Sequence, residues 1–125
     1  MVLLVVDQNE IHLDLYRRML SPIFDSAILA RNGVEALELL SSHRVDFILA
    51  NLEMPMIDGF QLVEIIRSCD GGRLKCDPQT TPIVILGSID ERHLSQIPPD
   101  INGYLQIPVD KNTLIQRIRE HLYAD

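Results

Sequence analysis

Three short stretches of the chain consist entirely of apolar residues: Val2–Val6, Phe47–Ala50 and Ile83–Leu86. Such unbroken runs are typical of parallel strands in a sheet that is covered on both faces. Two weaker stretches, Ala27–Leu29 and Gly103–Gln106, predict strands that are less buried. The pattern therefore predicts five strands, with a segment after each one that is long enough to form a helix.

Apolar residues recur at helical spacing in four of these segments, around Leu15, Leu37, Val63 and Ile118. A weaker helix is predicted over residues 90–96, and we expect the Pro98–Pro99 pair to end it. Strand and helix thus alternate five times. This order predicts one α/β domain over residues 1–125, with a doubly wound sheet of five parallel strands and five helices, the fourth of them short.

The composition excludes several classes of protein. The 125 residues include 46% hydrophobic and 23% charged residues, as expected for one globular domain. The net charge is −7, so we expect no basic surface for nucleic acid. The apolar runs are far shorter than the ~20 residues that cross a bilayer, so no membrane association is expected. We expect a cytoplasmic domain with no segment before its first strand.

Function in open α/β sheets gathers where the parallel strands end. The residues predicted at these ends are Asp7-Gln8-Asn9, Asn51, Gly87-Ser88 and Gln106-Ile107-Pro108. A phosphate-binding loop after the first strand would need glycine, and none is present there. No nucleophile with a neighbouring base stands out either, so we expect no enzyme and no catalytic residue.

The chain resembles the receiver domain of bacterial response regulators, the CheY-like family. The resemblance spans essentially the whole chain and rests on Val5–Asp7, Asn32-Gly33, Met54-Pro55, Asp58-Gly59 and Gly103–Leu105. It implies the flavodoxin-like strand order 2-1-3-4-5. It also implies that a histidine kinase phosphorylates an Asp at the end of the third strand, beside Mg²⁺ held by acidic residues.

The resemblance assigns each position of the family's site to a residue of this chain. Asp7 and Gln8 occupy the acidic pocket, and Asn51 occupies the phosphoacceptor position. The family has a Ser or Thr after the fourth strand, an aromatic residue in the fifth and a Lys after it. These switch positions correspond here to Gly87 (with Ser88 one residue further on), Tyr104 and Ile107.

These departures remove the family's chemistry. The amide nitrogen of Asn51 has a delocalised lone pair, so this side chain cannot form an acyl phosphate. Asp7 is the one carboxylate left at the three acidic positions, and Glu53 is the one nearby group that could add a second. We therefore predict no cofactor and weak or absent Mg²⁺ binding. We also expect the amides of Gln8 and Asn51 to donate to Asp7.

We hypothesise a degenerate receiver, a pseudo-receiver, that contacts a protein partner without phosphorylation. The partner would be a kinase, an output domain or another regulator, and it would bind the face of the fourth helix, fifth strand and fifth helix. Two alternatives stay open: a conventional response regulator phosphorylated at a non-standard residue, and a small-ligand-binding flavodoxin-like module. An output domain after residue 125 and the oligomeric state also stay open.

Two expectations concern side chains with a second possible role. Asp58 would be the obvious substitute phosphoacceptor, but a residue of its type before Gly59 is expected to cap the third helix. The histidines are expected to be solvated or to cap helices rather than to bind a ligand; they are His12, His43, His93 and His121.

Overall fold

Strands and helices alternate along the whole chain in the computed structural model, which describes residues 1–69 and 72–122. The elements are β1 (Val2–Val6), α1 (Glu10–Met19), β2 (Ser26–Ala30), α2 (Gly33–Ser42), β3 (Phe47–Asn51), α3 (Gly59–Arg67), β4 (Ile83–Gly87), α4 (Glu91–Leu94), β5 (Gly103–Gln106) and α5 (Lys111–Leu122). The five predicted strands and five predicted helices are thereby confirmed. No helix in these two ranges is long and apolar enough to cross a membrane.

The five strands form one parallel sheet in the order β2-β1-β3-β4-β5. Val6 at the end of β1 pairs with Ala30 of β2 and with Ala50 of β3. On the other side of the sheet, Gly87 at the end of β4 pairs with Gln106 of β5. This register confirms the predicted strand order, and it brings the strand ends together at one side, which we call the carboxyl edge.

Alternate residues of the strands point into two separate apolar layers. Leu4 of β1 and Ile48 of β3 contribute to the layer under α2 and α3. Leu3 and Leu49 contribute to the layer under α1 and α5. All four side chains are at most 1% exposed. Burial on both faces explains why the central strands have unbroken apolar sequences rather than alternating ones.

Polar residues cap the helices at the carboxyl edge and fix where each one begins. Asn9 accepts a hydrogen bond from the backbone of Ile11, and Asn32 caps α2 in the same way. Asp58 accepts from the backbone N–H of Gln61 at 2.8 Å, and the backbone N–H of Asp58 donates to Oε1 of Gln61 at 3.0 Å, which confirms the predicted cap.

Helix α4 is short, as predicted, but it ends earlier than the sequence indicated. It stops at Leu94, before the Pro98–Pro99 pair expected to end it. Proline disfavours helical backbone in the residue before it, here Ile97. Ile97 and Ile101 also pack against the layer under α2 and α3. The chain therefore turns toward the core after a single helical turn.

The loop between β3 and α3 contains the one non-glycine residue with positive φ in the described chain. Met56 has a φ of 70°, and the N–H of Ile57 donates to the carbonyl of Pro55 at 2.8 Å across it. A tight turn of this kind is strained for a residue with a Cβ atom.

We expect Met56→Gly to raise the free energy of unfolding by about 0.5–1 kcal/mol, because glycine adopts positive φ without steric cost. The side chain of Met56 is 75% exposed, so little packing is lost. Urea unfolding midpoints measure the effect. Met56→Ala is the matched control, since it removes the same side chain but keeps the strain, and equal midpoints for the two variants would contradict the prediction.

Candidate functional site

Asp7 follows β1 at the carboxyl edge and is only 2% exposed. Its backbone N–H donates to the carbonyl of Ala30 at 3.0 Å, which continues the pairing of β1 with β2 by one residue. The carboxylate is thereby held between the ends of β1 and β3. A buried carboxylate needs hydrogen-bond donors or a cation, so its partners define the chemistry of this site.

Three groups surround the Asp7 carboxylate. Oδ1 accepts from the backbone N–H of Asn9 at 2.9 Å. Oδ2 accepts from Nδ2 of Asn51 at 3.1 Å, as the sequence predicted. Nδ1 of His12 lies 3.3 Å from the same Oδ2. Within residues 1–69 and 72–122, His12 is the only titratable side chain that contacts Asp7.

The contact between His12 and Asp7 was not predicted from the sequence, which indicated a histidine that is solvated or caps a helix. The side chain of His12 is 42% exposed, but its ring turns toward Asp7. The spacing of His12 could have indicated this contact. His12 precedes the buried Tyr16 by four residues in α1, so both residues lie on the same side of the helix. Tyr16 is 9% exposed, and the two ring centroids lie 6.2 Å apart.

Gln8 does not donate to Asp7, and this part of the prediction is wrong. Its Nε2 lies 3.5 Å from the carbonyl oxygen of Glu53, and the residue is exposed. Successive residues of an extended segment point to opposite sides, so Gln8 faces away from the pocket that Asp7 enters. Glu53 is also exposed, and its backbone N–H donates to Oδ1 of Asn51 at 3.2 Å.

The switch positions do not converge on Asp7. Gly87 is buried, and a Cβ atom built there would lie 2.8 Å from Cβ of Leu52. Ser88 is exposed beyond the end of β4. Ile107 is partly buried against the layer under α1 and α5, so no cation reaches the carboxylate from this position. Tyr104 lies on the edge strand β5 and is 38% exposed.

The donor set at Asp7 does not fit Mg²⁺. This ion prefers oxygen ligands in octahedral geometry, usually with one or two carboxylates. Here both oxygens of Asp7 accept hydrogen bonds, and Asn51 presents its NH₂ group, not its oxygen, to the carboxylate. The described residues contain no group of three or more His, Cys, Asp or Glu side chains arranged to hold a metal ion.

The receiver domain of response regulators matches this sequence over residues 3–119, and the chain therefore belongs to that family. It is 28% identical over 123 residues to the chemotaxis protein CheY of Halobacterium salinarum, which covers 97% of this chain and 96% of CheY. It is 30% identical over 111 residues to the autoinducer 1 sensor kinase/phosphatase LuxN of Vibrio campbellii. That match covers 89% of this chain but only 12% of LuxN.

A solved receiver domain has the same fold. It is that of the sensor histidine kinase PA1611 from Pseudomonas aeruginosa PAO1, crystallised with a magnesium ion coordinated in its active site cleft. The two chains superpose with a TM-score of 0.77 at 24% sequence identity, over 99% of this chain and 98% of the other. Magnesium thus binds in the active site of some receiver domains.

Proposed function

We propose that residues 1–125 form a receiver-like signalling domain that acts without phosphorylation at Asn51. Receiver domains are signalling modules that work with kinases and output domains. The hydrogen bond of 3.1 Å between Asn51 and Asp7 carries the proposal. In this arrangement an amide donor satisfies the buried carboxylate from within the chain, in the place where the family uses a metal ion and a second carboxylate.

The chemistry of the pocket supports a binding role rather than phosphotransfer. An acyl phosphate needs a carboxylate oxygen as nucleophile, and Asn51 has none. The Asp7 carboxylate is retained, but both of its oxygens accept hydrogen bonds, one from Asn9 and one from Asn51. We therefore propose that the domain is not an enzyme, has no cofactor and binds Mg²⁺ weakly or not at all.

We propose that the partner is a protein bound at the surface formed by α4, β5 and α5. Two large apolar side chains are exposed there on neighbouring elements, with Leu94 of α4 at 54% and Tyr104 of β5 at 38%. Tyrosine is enriched among the residues that anchor protein interfaces. The net charge of −7 disfavours direct binding to nucleic acid.

Treatment with acetyl phosphate and Mg²⁺, followed by intact-mass measurement, tests the proposal. We expect no phosphate adduct on this chain, while a phosphorylatable receiver domain treated in parallel gains one. In a thermal unfolding assay, Mg²⁺ with beryllofluoride should leave the midpoint unchanged, because a ligand that does not bind the native state cannot stabilise it.

A stable adduct would overturn the proposal and favour the alternative of a conventional regulator phosphorylated at a non-standard residue. Peptide mapping would then locate the phosphate. The first position to compare is Asp58, whose Oδ1 is already used in capping α3. Asp58→Asn would abolish the adduct only if that carboxylate is the acceptor.

A further inference from the structure

The side chain of Gln106 in β5 forms two hydrogen bonds with the backbone of Ile89, which lies in the loop that follows β4. Oε1 of Gln106 accepts from the N–H of Ile89 at 2.9 Å. Nε2 of Gln106 donates to the carbonyl oxygen of the same residue. One side-chain amide thus satisfies both backbone polar groups of one peptide residue.

This contact extends the sheet beyond its last backbone pairing. Gly87 is the register partner of Gln106, and the N–H of Ile107 donates to the carbonyl of Gly87 at 3.2 Å. β4 ends at Gly87, and the side-chain amide of Gln106 supplies the hydrogen-bond partners of Ile89, two residues further on. Because backbone groups away from water need partners, the amide fixes the path of this loop.

Packing holds the same residue from the other side. The side chain of Ile89 is 7% exposed and belongs to the layer under α2 and α3. Leu52 and Phe60 are members of the same layer, at 2% exposure each. Ile89 is therefore fixed by its backbone to β5 and by its side chain to the core.

The loop held in this way joins the end of β4 to α4. It begins at Ser88, beside Gly87 at the carboxyl edge, and ends at Asp90, whose side chain caps α4. Gln106 itself lies in β5, two residues after Tyr104. A single side chain thus connects the end of β4, the start of α4 and the strand at the centre of the proposed partner surface.

We propose that Gln106 is a latch that holds the loop between β4 and α4 in one conformation, and so fixes α4 against β5. The consequence for signalling rests on the proposed function: the partner surface would be held in a single state without a phosphoryl group at Asn51. The latch itself is a property of the fold and is measured separately from phosphorylation.

Amide hydrogen exchange of the full chain, followed by NMR, tests the latch. Gln106→Met keeps the length of the side chain and removes both hydrogen-bonding groups. We expect the protection of the Ile89 amide to fall by about tenfold or more, because its acceptor is lost. Gln116→Met is the matched control, since Gln116 is exposed on α5 away from the loop and should leave Ile89 unchanged.

Two further NMR measurements on Gln106→Met complete the test: amide protection in β1 and β3, and the resonances of α4. Protection of the Val5 and Leu49 amides in β1 and β3 should be kept in Gln106→Met, which shows that the fold is intact. The resonances of the α4 residues Arg92 and Leu94 should shift, because α4 is no longer held against β5. Unchanged Ile89 protection would overturn the latch, and lost protection with unmoved α4 resonances would overturn its coupling to the partner surface.

The latch and the proposed function can fail independently. An acetyl phosphate adduct on the unaltered chain would refute phosphorylation-independent action but would leave the Ile89 exchange result standing. Conversely, unaltered exchange in Gln106→Met would refute the latch while the absence of an adduct still supported the proposed function.

Discussion

Asn51→Asp is expected to lower the free energy of unfolding by about 1–3 kcal/mol in the presence of EDTA, because a donor to a buried carboxylate is replaced by an acceptor. Nδ2 of Asn51 lies 3.1 Å from Oδ2 of Asp7, so the variant brings two carboxyl groups into contact. Asp7 is only 2% exposed, and water screens the repulsion poorly there. Urea unfolding of both proteins measures the loss.

Magnesium should then separate the variant from the original chain. Two carboxylates at the carboxyl edge offer a hard cation the ligands it prefers, so added Mg²⁺ is expected to restore stability to Asn51→Asp in proportion to ln(1+[L]/Kd). The original chain should show no such gain. If Mg²⁺ stabilises both proteins equally, Asn51 does not determine metal binding, and the proposal that its amide takes the place of the metal ion beside Asp7 is refuted.

Asn51→Ala is the matched control for this experiment. It removes the hydrogen bond to Asp7 without adding a charge, so it should be destabilised but insensitive to Mg²⁺. A comparison of the two variants therefore separates the lost donor from the repulsion between carboxylates. Neither variant is expected to gain efficient phosphotransfer, because Ile107 offers no cationic side chain to phosphoryl oxygens.

The elements of the fold and the central contact of the site could be predicted because both follow from local pattern and sheet register. Apolar runs such as Val2–Val6 mark strands that are buried on both faces. In a parallel sheet, neighbouring strands end at the same edge, so Asp7 after β1 and Asn51 at the end of β3 had to lie close together.

The contacts that escaped prediction depend on side-chain direction rather than on pattern. His12 reaches Asp7 because α1 starts at Glu10 and turns that ring toward the strand end. Gln8 points outward although it directly follows Asp7 in the sequence, whereas the backbone N–H of Asn9, one residue further on, donates to the carboxylate. An element boundary that moves by one residue would exchange these orientations, and a single sequence leaves such boundaries open to that extent.

Hydrogen bonds between a side chain and a distant backbone group could not be predicted from the sequence either. Gln106 and Ile89 are 17 residues apart, and neither residue type indicates such a contact.

Arg67 is a stronger example of a contact that the sequence did not predict. It ends the apolar stripe of α3, where a basic residue in the last turn usually interacts with the helix end and solvent. In the structure it is only 8% exposed.

Arg67 joins the end of α3 to two other segments of the chain. Its guanidinium donates to the carbonyl oxygens of Pro78, Thr81 and Asp100 at 3.1, 2.9 and 3.1 Å, and to Oδ1 of Asn102 at 3.0 Å. Burial lowers the pKa of Arg67, but the four acceptors leave the cation well satisfied. These acceptors lie in the segment before β4 and in the segment between α4 and β5.

Arg67→Met is therefore expected to lower the free energy of unfolding by about 3–5 kcal/mol, because it leaves the buried carbonyl oxygens of Pro78 and Thr81 without their donor and removes two further hydrogen bonds. The loss should extend to β4, since Oδ1 of Asn102 also accepts from the N–H of Ile83 at 2.8 Å.

Arg44→Met is the matched control, as Arg44 is exposed, and it should change stability by less than about 0.5 kcal/mol. Arg67→Lys keeps the charge but cannot span four acceptors from one nitrogen, so its urea midpoint should fall between those of Arg67→Met and the original chain. A midpoint for Arg67→Met equal to that of Arg44→Met would show that the segments around β4 are held by packing alone.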